Sequence, residues 1–287
     1  MTYSEHELEF TFAKNESHNR MCVCWMCTCA VKVCSLRGDV APVYGITTVD
    51  QHLFVVRAWS THIEVYDCAA YSLVRQLSAP RLLDVTDMTG SEHHLCLFLA
   101  DCDSRAVHTV SIDTGDIGHW SLAAKPYGVS VTMDGHVVVS FSETSVVGIF
   151  NPDGVLLRQI AVDTVVNLRH SVALETGQLV ICHGALQHQA GVAITDAEGQ
   201  LVHALPADVD SQLGWPTHVA VDHRGFIYVA DYSNKRVLQL DSDLTYIRDI
   251  VGYDEGIRNP RNICIDSIGR RLYVAESGGS VLVFGLQ

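Results

Sequence analysis

The chain is 287 residues long, 48% hydrophobic and strongly acidic, with 19 Lys and Arg against 33 Asp and Glu for a net charge of −14. Such a balance argues against a dedicated nucleic-acid binder, whose affinity comes largely from phosphate contacts, but it leaves room for one locally basic face. No run of 18 apolar residues occurs, so no membrane-spanning helix is expected, and the apolar content suffices for a large core.

The first ten residues, MTYSEHELEF, hold Glu5, Glu7 and Glu9 and no Lys or Arg, the opposite of a secretory leader, and a cytoplasmic protein is expected. Residues 21–34 read MCVCWMCTCAVKVC. Cys22, Cys24, Cys27, Cys29 and Cys34 offer thiolates at C-x-C spacing, which suits a soft metal. They lack the paired C-x2-C knuckles of structural zinc sites, so an apolar lead-in is expected and no metal. Residues 1–30 are expected to be a poorly ordered, Cys-rich tail, and Val31–Leu36 a strand.

From residue 43 onward the chain repeats. Residues 216–240, PTHVAVDHRGFIYVADYSNKRVLQL, hold three short apolar runs rich in Val, Ile and Tyr, separated by turn residues, which is the pattern of an antiparallel meander. Residues 260–284, 126–150 and 43–66 return the same order, and weaker copies begin at 82 and 168. The spacing of 39 to 48 residues, without a helical pattern, points to propeller blades. Fourth strands are expected at Tyr71–Leu77, Val155–Ile160, Leu201–Leu205 and Leu244–Ile250. The sixth copy reaches the end of the chain after its third strand. Its bare edge invites aggregation, and Val31–Leu36 is expected to cover it. The fold class is therefore all-β, a six-bladed β-propeller over residues 31–287 with its last blade closed by an N-terminal strand.

Residues 216–237 resemble the NHL repeat, "P-x-x-V-A-V-D-x-x-G-x-I-Y-V-A-D-x-x-N-x-R-V", almost throughout, and 260–276 resemble it well. Blades one to four are degenerate: most lack the Asp of the first strand. The resemblance, to the propellers of TRIM-NHL proteins, implies a partner-selecting module of a ubiquitin-ligase-type assembly. With no RING, B-box or coiled coil in the sequence, ligase chemistry would come from another chain. The same resemblance also implies RNA readers with a basic top face.

Strands one and three of a blade run the same way, so the loops leading into innermost strands and those joining second to third strands open on one face. Tyr44, Tyr127, Arg169, Thr217 and Arg261 hold equivalent positions in the leading loops and are expected to ring the channel mouth. Trp59, His62, Arg81, Arg105, Tyr232, Lys235 and Arg236 come from neighbouring loops of that face. His170, His218 and Asn262 lie one step inward, with Asp84 expected at their level and Gly45 and Gly128 in the two remaining blades. Tyr and Arg are hot-spot residues of protein interfaces and also stack on bases. Asp101, Asp231 and Glu276, ending second strands, are expected to accept backbone N–H bonds.

Three functions follow. The first is a monomeric, non-catalytic module for a protein partner. The second is RNA binding through Arg81, Arg105, Arg169, Lys235, Arg236 and Arg261, opposed by Asp101, Asp103, Glu143, Asp231 and Glu276 on nearby loops. The third is a metal-dependent hydrolase or lyase built on His170, His218, Asp84 and Asn262. No nucleophile elbow, zinc-protease helix or phosphate loop occurs. The first reading is preferred, with no cofactor and no metal.

Overall fold

The second strand of each repeat is apolar at nearly every position. In the structure these strands are buried on both faces: Phe54, Val55 and Val56, Leu97, Phe98 and Leu99, and Val137, Val138 and Val139 have no solvent exposure. A strand apolar on both faces needs a packed layer against each of them. A ring of sheets supplies this, because every sheet then has a neighbour on either side.

The computed structural model describes residues 31–37, 41–162, 165–184, 190–205, 213–266 and 270–286. Among them are 24 strands and no helix, in six four-stranded sheets. The chain is a six-bladed β-propeller. Blade one comprises Val43–Val49, His52–Arg57, His62–Asp67 and Leu73–Ser78. Blade two follows as Val85–Ser91, Cys96–Asp101, Ala106–Ser111 and Ile117–Ser121, and blade three as Gly128–Val131, Val137–Phe141, Val146–Phe150 and Leu156–Ala161. Blade four holds Leu168–Ala173, Leu179–His183, Gly191–Thr195 and Leu201–Ala204, and blade five Pro216–Val221, Ile227–Asp231, Arg236–Leu240 and Tyr246–Val251. Blade six has Pro260–Ile265, Arg271–Glu276 and Ser280–Gly285.

The strand that completes blade six is Val31–Arg37, paired antiparallel with Ser280–Gly285. Leu36 lies opposite Val281 and joins an apolar cluster with Val43 and Val55 of blade one and Val281 and Val283 of blade six. The closing strand therefore satisfies the exposed hydrogen-bonding edge and seals the seam of the ring. Each of six apolar clusters is shared by two adjacent blades, so the core is a ring of interblade contacts. The expected fourth strands appear within two residues of their places. Blade two has one that the sequence reading did not assign, Ile117–Ser121, whose IGHWS lacks aliphatic alternation. The Cys-rich tail, with Cys22, Cys24, Cys27 and Cys29, lies outside the described residues, as does most of the insert after Gly184. Among the described residues no helix is long and apolar enough to cross a membrane.

Two local features position the channel. The inner strands of blades one, two, four, five and six each skip one residue in register just after they start, at Tyr44, Thr86, Arg169, Thr217 and Arg261. A bulge leaves that residue unpaired and re-aims the next. Crowding at the axis accounts for the two inner glycines. A Cβ on Gly45 would lie 2.5 Å from the Cβ of Met88, and one on Gly128 2.5 Å from the Arg169 carbonyl oxygen.

Closure yields a direct expectation. Deleting residues 31–37, or introducing Leu36→Asp within them, exposes the Ser280–Gly285 edge and opens the seam with blade one. Thermal melting should fall by several degrees at least, since a core Leu is worth about 2–5 kcal/mol, and size-exclusion chromatography should show self-association. Unchanged melting would mean that the ring does not depend on this strand.

Candidate functional site

The residue following each bulge points onto the channel axis. In blades four, five and six it is His170, His218 and Asn262, each paired with the residue before the end of the second strand. In blade two the same register position belongs to Asp87, opposite Ala100. The expectation of Asp84 is thus corrected: Asp84 precedes the inner strand and is partly exposed. Two acids three residues apart left the choice open. The signal that decides it is the preceding threonine, because Thr86-Asp87 parallels Thr217-His218.

These four side chains form a buried polar layer across the channel. The Asp87 carboxylate accepts hydrogen bonds from the Met88 N–H at 2.8 Å, the Val129 N–H at 2.9 Å and the Asn262 Nδ2 at 2.7 Å. His170 Nε2 lies 3.4 Å and His218 Nε2 3.6 Å from its two oxygens. Asn262 Nδ2 also reaches the Tyr44 carbonyl at 3.3 Å. The imidazoles stack with centroids 3.7 Å apart and planes 22° off parallel. Burial pushes the His170 imidazole down to about 3, aided by neighbouring His218 and opposed by Asp87. Burial by itself raises the Asp87 carboxyl, but His218, His170 and the Val129 N–H outweigh it and hold the group below its ordinary 3.8. The layer therefore carries an ionised carboxylate beside a neutral His170.

Asp87, His170 and His218 each place a ligand atom within 4.8 Å of the others, the spacing a metal ion would need. The surroundings fit hydrogen bonding better. Ligating imidazoles converge on one ion and hand their second ring N–H to an acceptor. Here the rings lie face to face, and Nδ1 of both His170 and His218 has no partner. With its Nε2–H facing Asp87 and the Val129 carbonyl, the His170 Nδ1 is an acceptor, as is the unpartnered Oδ1 of Asn262.

Above the layer lies a cavity of about 10 Å³, room for one water molecule. Its walls include Tyr44, Thr86, Tyr127, Arg169, Thr217 and Arg261, so all five expected mouth residues do ring the channel. Arg261 lies over Tyr44 with its Cζ 3.9 Å from the ring centroid, and Arg169 lies over the rings of Tyr127 at 4.7 Å and Trp215 at 5.3 Å. Below the layer the channel widens to about 300 Å³, lined mainly by apolar and hydroxyl side chains such as Ile46, Thr47, Val129 and Ser130.

The other expected face residues lie around this mouth. Trp59, His62, Arg81, Arg105 and Lys235 are exposed on its loops, Trp59 at 74%. Tyr232 packs edge-on against Trp215, and Lys235 sits 5.4 Å from the ring of Tyr253. Arg236 is spent inside blade five on Asp231 at 3.2 Å and Asp249 at 3.1 Å. Sequence reading missed Trp215, Tyr253 and Arg258, the last stacked 4.0 Å from Tyr253. Trp215 was signalled by its place directly before the Pro-Thr-His of blade five.

The acids ending second strands are structural. Asp101 accepts the N–H groups of Leu83 and Ser104, Asp231 those of Gly214 and Trp215, and Glu276 that of Arg258. Most of these bonds stitch the leading loop of the same blade, where the sequence reading had placed them in the following turn. Cys34, Cys96 and Cys264 have thiols raised by burial to about 11, and Cys182 to about 12, far from a nucleophilic thiolate.

No protein-family model matches the chain, and no curated protein sequence matches it. Solved structures do. Hydrazine synthase of Kuenenia stuttgartiensis superposes with a TM-score of 0.64 at 14% identity, covering 88% of this chain and 98% of that one. Virginiamycin B lyase from Staphylococcus aureus gives 0.64 at 11% identity over 88% and 98%. A streptogramin B lyase gives 0.66 at 11% over 91% and 99%. At such identities the likeness establishes the six-bladed propeller fold.

The polar layer predicts how stability depends on pH. His170 protonates near 6.5 when unfolded but only near 3 when folded, so the unfolded chain binds more protons in between. Its contribution is complete above about pH 6.5 and is lost as pH falls toward 3; Asp87, held low, adds a loss of the same sign below 3.8. Melting temperatures across this range should fall less steeply in His170→Gln than in the wild type. Asp87→Ala should cost about 3–5 kcal/mol in denaturant unfolding, as expected for removing one partner from a buried charged network.

Proposed function

We propose that the chain is a non-catalytic, NHL-type interaction propeller that docks a protein partner on the channel-mouth face, acting as the recognition part of a larger cytoplasmic assembly. One observation carries this reading: Arg and Tyr side chains packed over one another narrow the mouth to room for about one water. A substrate arriving at this face meets a surface and not an open channel. The layer beneath is buried, and its carboxylate accepts three hydrogen bonds. What the face does offer is aromatic and cationic area on loops held by a rigid scaffold: Trp59, Trp215, Tyr232, Tyr253, Arg169 and Arg261.

RNA is the second reading, and the structure supplies an observation in its favour. Three of the five acids that opposed it, Asp101, Asp231 and Glu276, are buried and bound to backbone N–H groups. Lys235, Tyr253 and Arg258 then form a cationic, stackable patch beside the mouth. The overall charge of −14 still disfavours a long polyanion.

Affinity capture from an extract of the source cells, with variants chosen by face, tests the docking reading. Proteins held by the wild type should be lost with Trp59→Ala and Tyr253→Ala, both exposed and on the mouth face, while melting temperatures stay put. Met133→Ala, on a turn of the opposite face, should leave capture intact. Loss with Met133→Ala alone, or turnover of RNA in place of protein on the resin, would replace the reading.

A further inference from the structure

The arginines of the mouth face differ in what they have left to give. Arg57 is committed to Glu64 and to the Gly279 carbonyl, Arg236 to Asp231 and Asp249, and Arg258 to the carbonyls of Tyr253 and Ile257. Arg169 makes one long bond, from Nε to the Gly184 carbonyl at 3.4 Å. Arg261 makes no hydrogen bond or ion pair among the described residues. Both line the same small cavity, each with its guanidinium carbon over a tyrosine ring. Stacking fixes the plane of a guanidinium while leaving its N–H fork free at the edge.

Among the described residues no carboxylate in the cavity forms an ion pair with those forks. The Thr86 and Thr217 hydroxyls donate to the Tyr127 and Pro260 carbonyls at 2.8 and 3.2 Å. Asp87 lies a level below with its oxygens already bonded. Asp84 is within electrostatic reach of Arg261 but forms no ion pair with it. A planar oxyanion that accepts two parallel N–H bonds is the chemistry these groups match.

We propose that Arg169 and Arg261 receive the carboxylate of an aspartate or glutamate side chain presented by the protein partner. The inference rests on the docking reading above and names its anchor. A carboxylate suits the site better than a phosphate backbone. Exposed Arg81, Arg105 and Lys235 are interleaved on this face with exposed Asp103, Glu143, Asp254 and Glu255, which would repel an extended polyanion. A single acidic side chain needs only the two arginines.

Fluorescence anisotropy of the full chain tests this with a labelled Gly-Ser-flanked tetraglutamate peptide, the matching tetraglutamine peptide and a short single-stranded RNA. Tetraglutamate should bind at least about tenfold more tightly than tetraglutamine, and Arg169→Gln and Arg261→Gln should each remove about tenfold, as for a lost charged hydrogen bond. Asp84→Asn should strengthen binding, because it frees Arg261 of a competing charge. Circular dichroism confirms that each variant is folded. Equal binding of the two peptides, or tetraglutamate binding that survives both substitutions, overturns the proposal. RNA binding that exceeds tetraglutamate and depends on the same arginines overturns it as well. If the peptides are not distinguished while capture still depends on Trp59 and Tyr253, the anchor falls and the docking face stands.

Discussion

Burying the Asp87 charge on the channel axis costs several kcal/mol unless its lone pairs find donors, and the ring supplies those donors from several blades. Met88 follows in the same strand, Val129 comes from blade three, His170 from blade four, His218 from blade five and Asn262 from blade six. Asn262 also reaches the Tyr44 carbonyl of blade one. One carboxylate thus links all six blades where their inner strands crowd together. Removing the side chains at Gly45 and Gly128 is the condition for that approach, since either Cβ would collide with a neighbouring blade.

The layer also decides what each end of the channel can do. Above it, the bulge in five inner strands throws a residue toward the mouth, where Arg261 packs over Tyr44, Arg169 over Tyr127 of blade three, and Thr86 and Thr217 bond to neighbouring carbonyls. Asp101, Asp231 and Glu276 hold the leading loops by their backbone N–H groups, so the mouth residues sit on a fixed frame. Below it, the channel is wide and lined by apolar and hydroxyl side chains. A face with ordered loops and unspent guanidinium groups is suited to recognition, and the interblade clusters keep that face rigid.

The solved structures that share this fold carry the names of a synthase and of lyases, at 11 to 14% identity. A propeller ring is a scaffold on which chemistry depends entirely on the side chains at the mouth and in the channel. In this chain the channel holds a hydrogen-bonded carboxylate beside stacked imidazoles, and the mouth holds two arginines over tyrosine rings.

Much of the fold was legible because it is repetitive and local. Period-2 apolar runs bounded by Gly and Asp turns, recurring every 39 to 48 residues, require blades, and a last copy one strand short requires a strand from elsewhere. The ring of Tyr44, Tyr127, Arg169, Thr217 and Arg261 was legible for the same reason, since equivalent positions in equivalent blades must meet at one mouth. The blade-two strand Ile117–Ser121 was not, because an outer strand buries too little to need an apolar alternation. The choice of Asp87 over Asp84 became plain in the tertiary structure, because a one-residue bulge changes which side chain faces the axis and the preceding threonine is the one faint mark it leaves in the sequence. The tertiary structure alone separated Arg261, which has no hydrogen-bond partner among the described residues, from Arg236, bound to two carboxylates, because pairing depends on which groups the ring brings within 4 Å and not on their order in the chain.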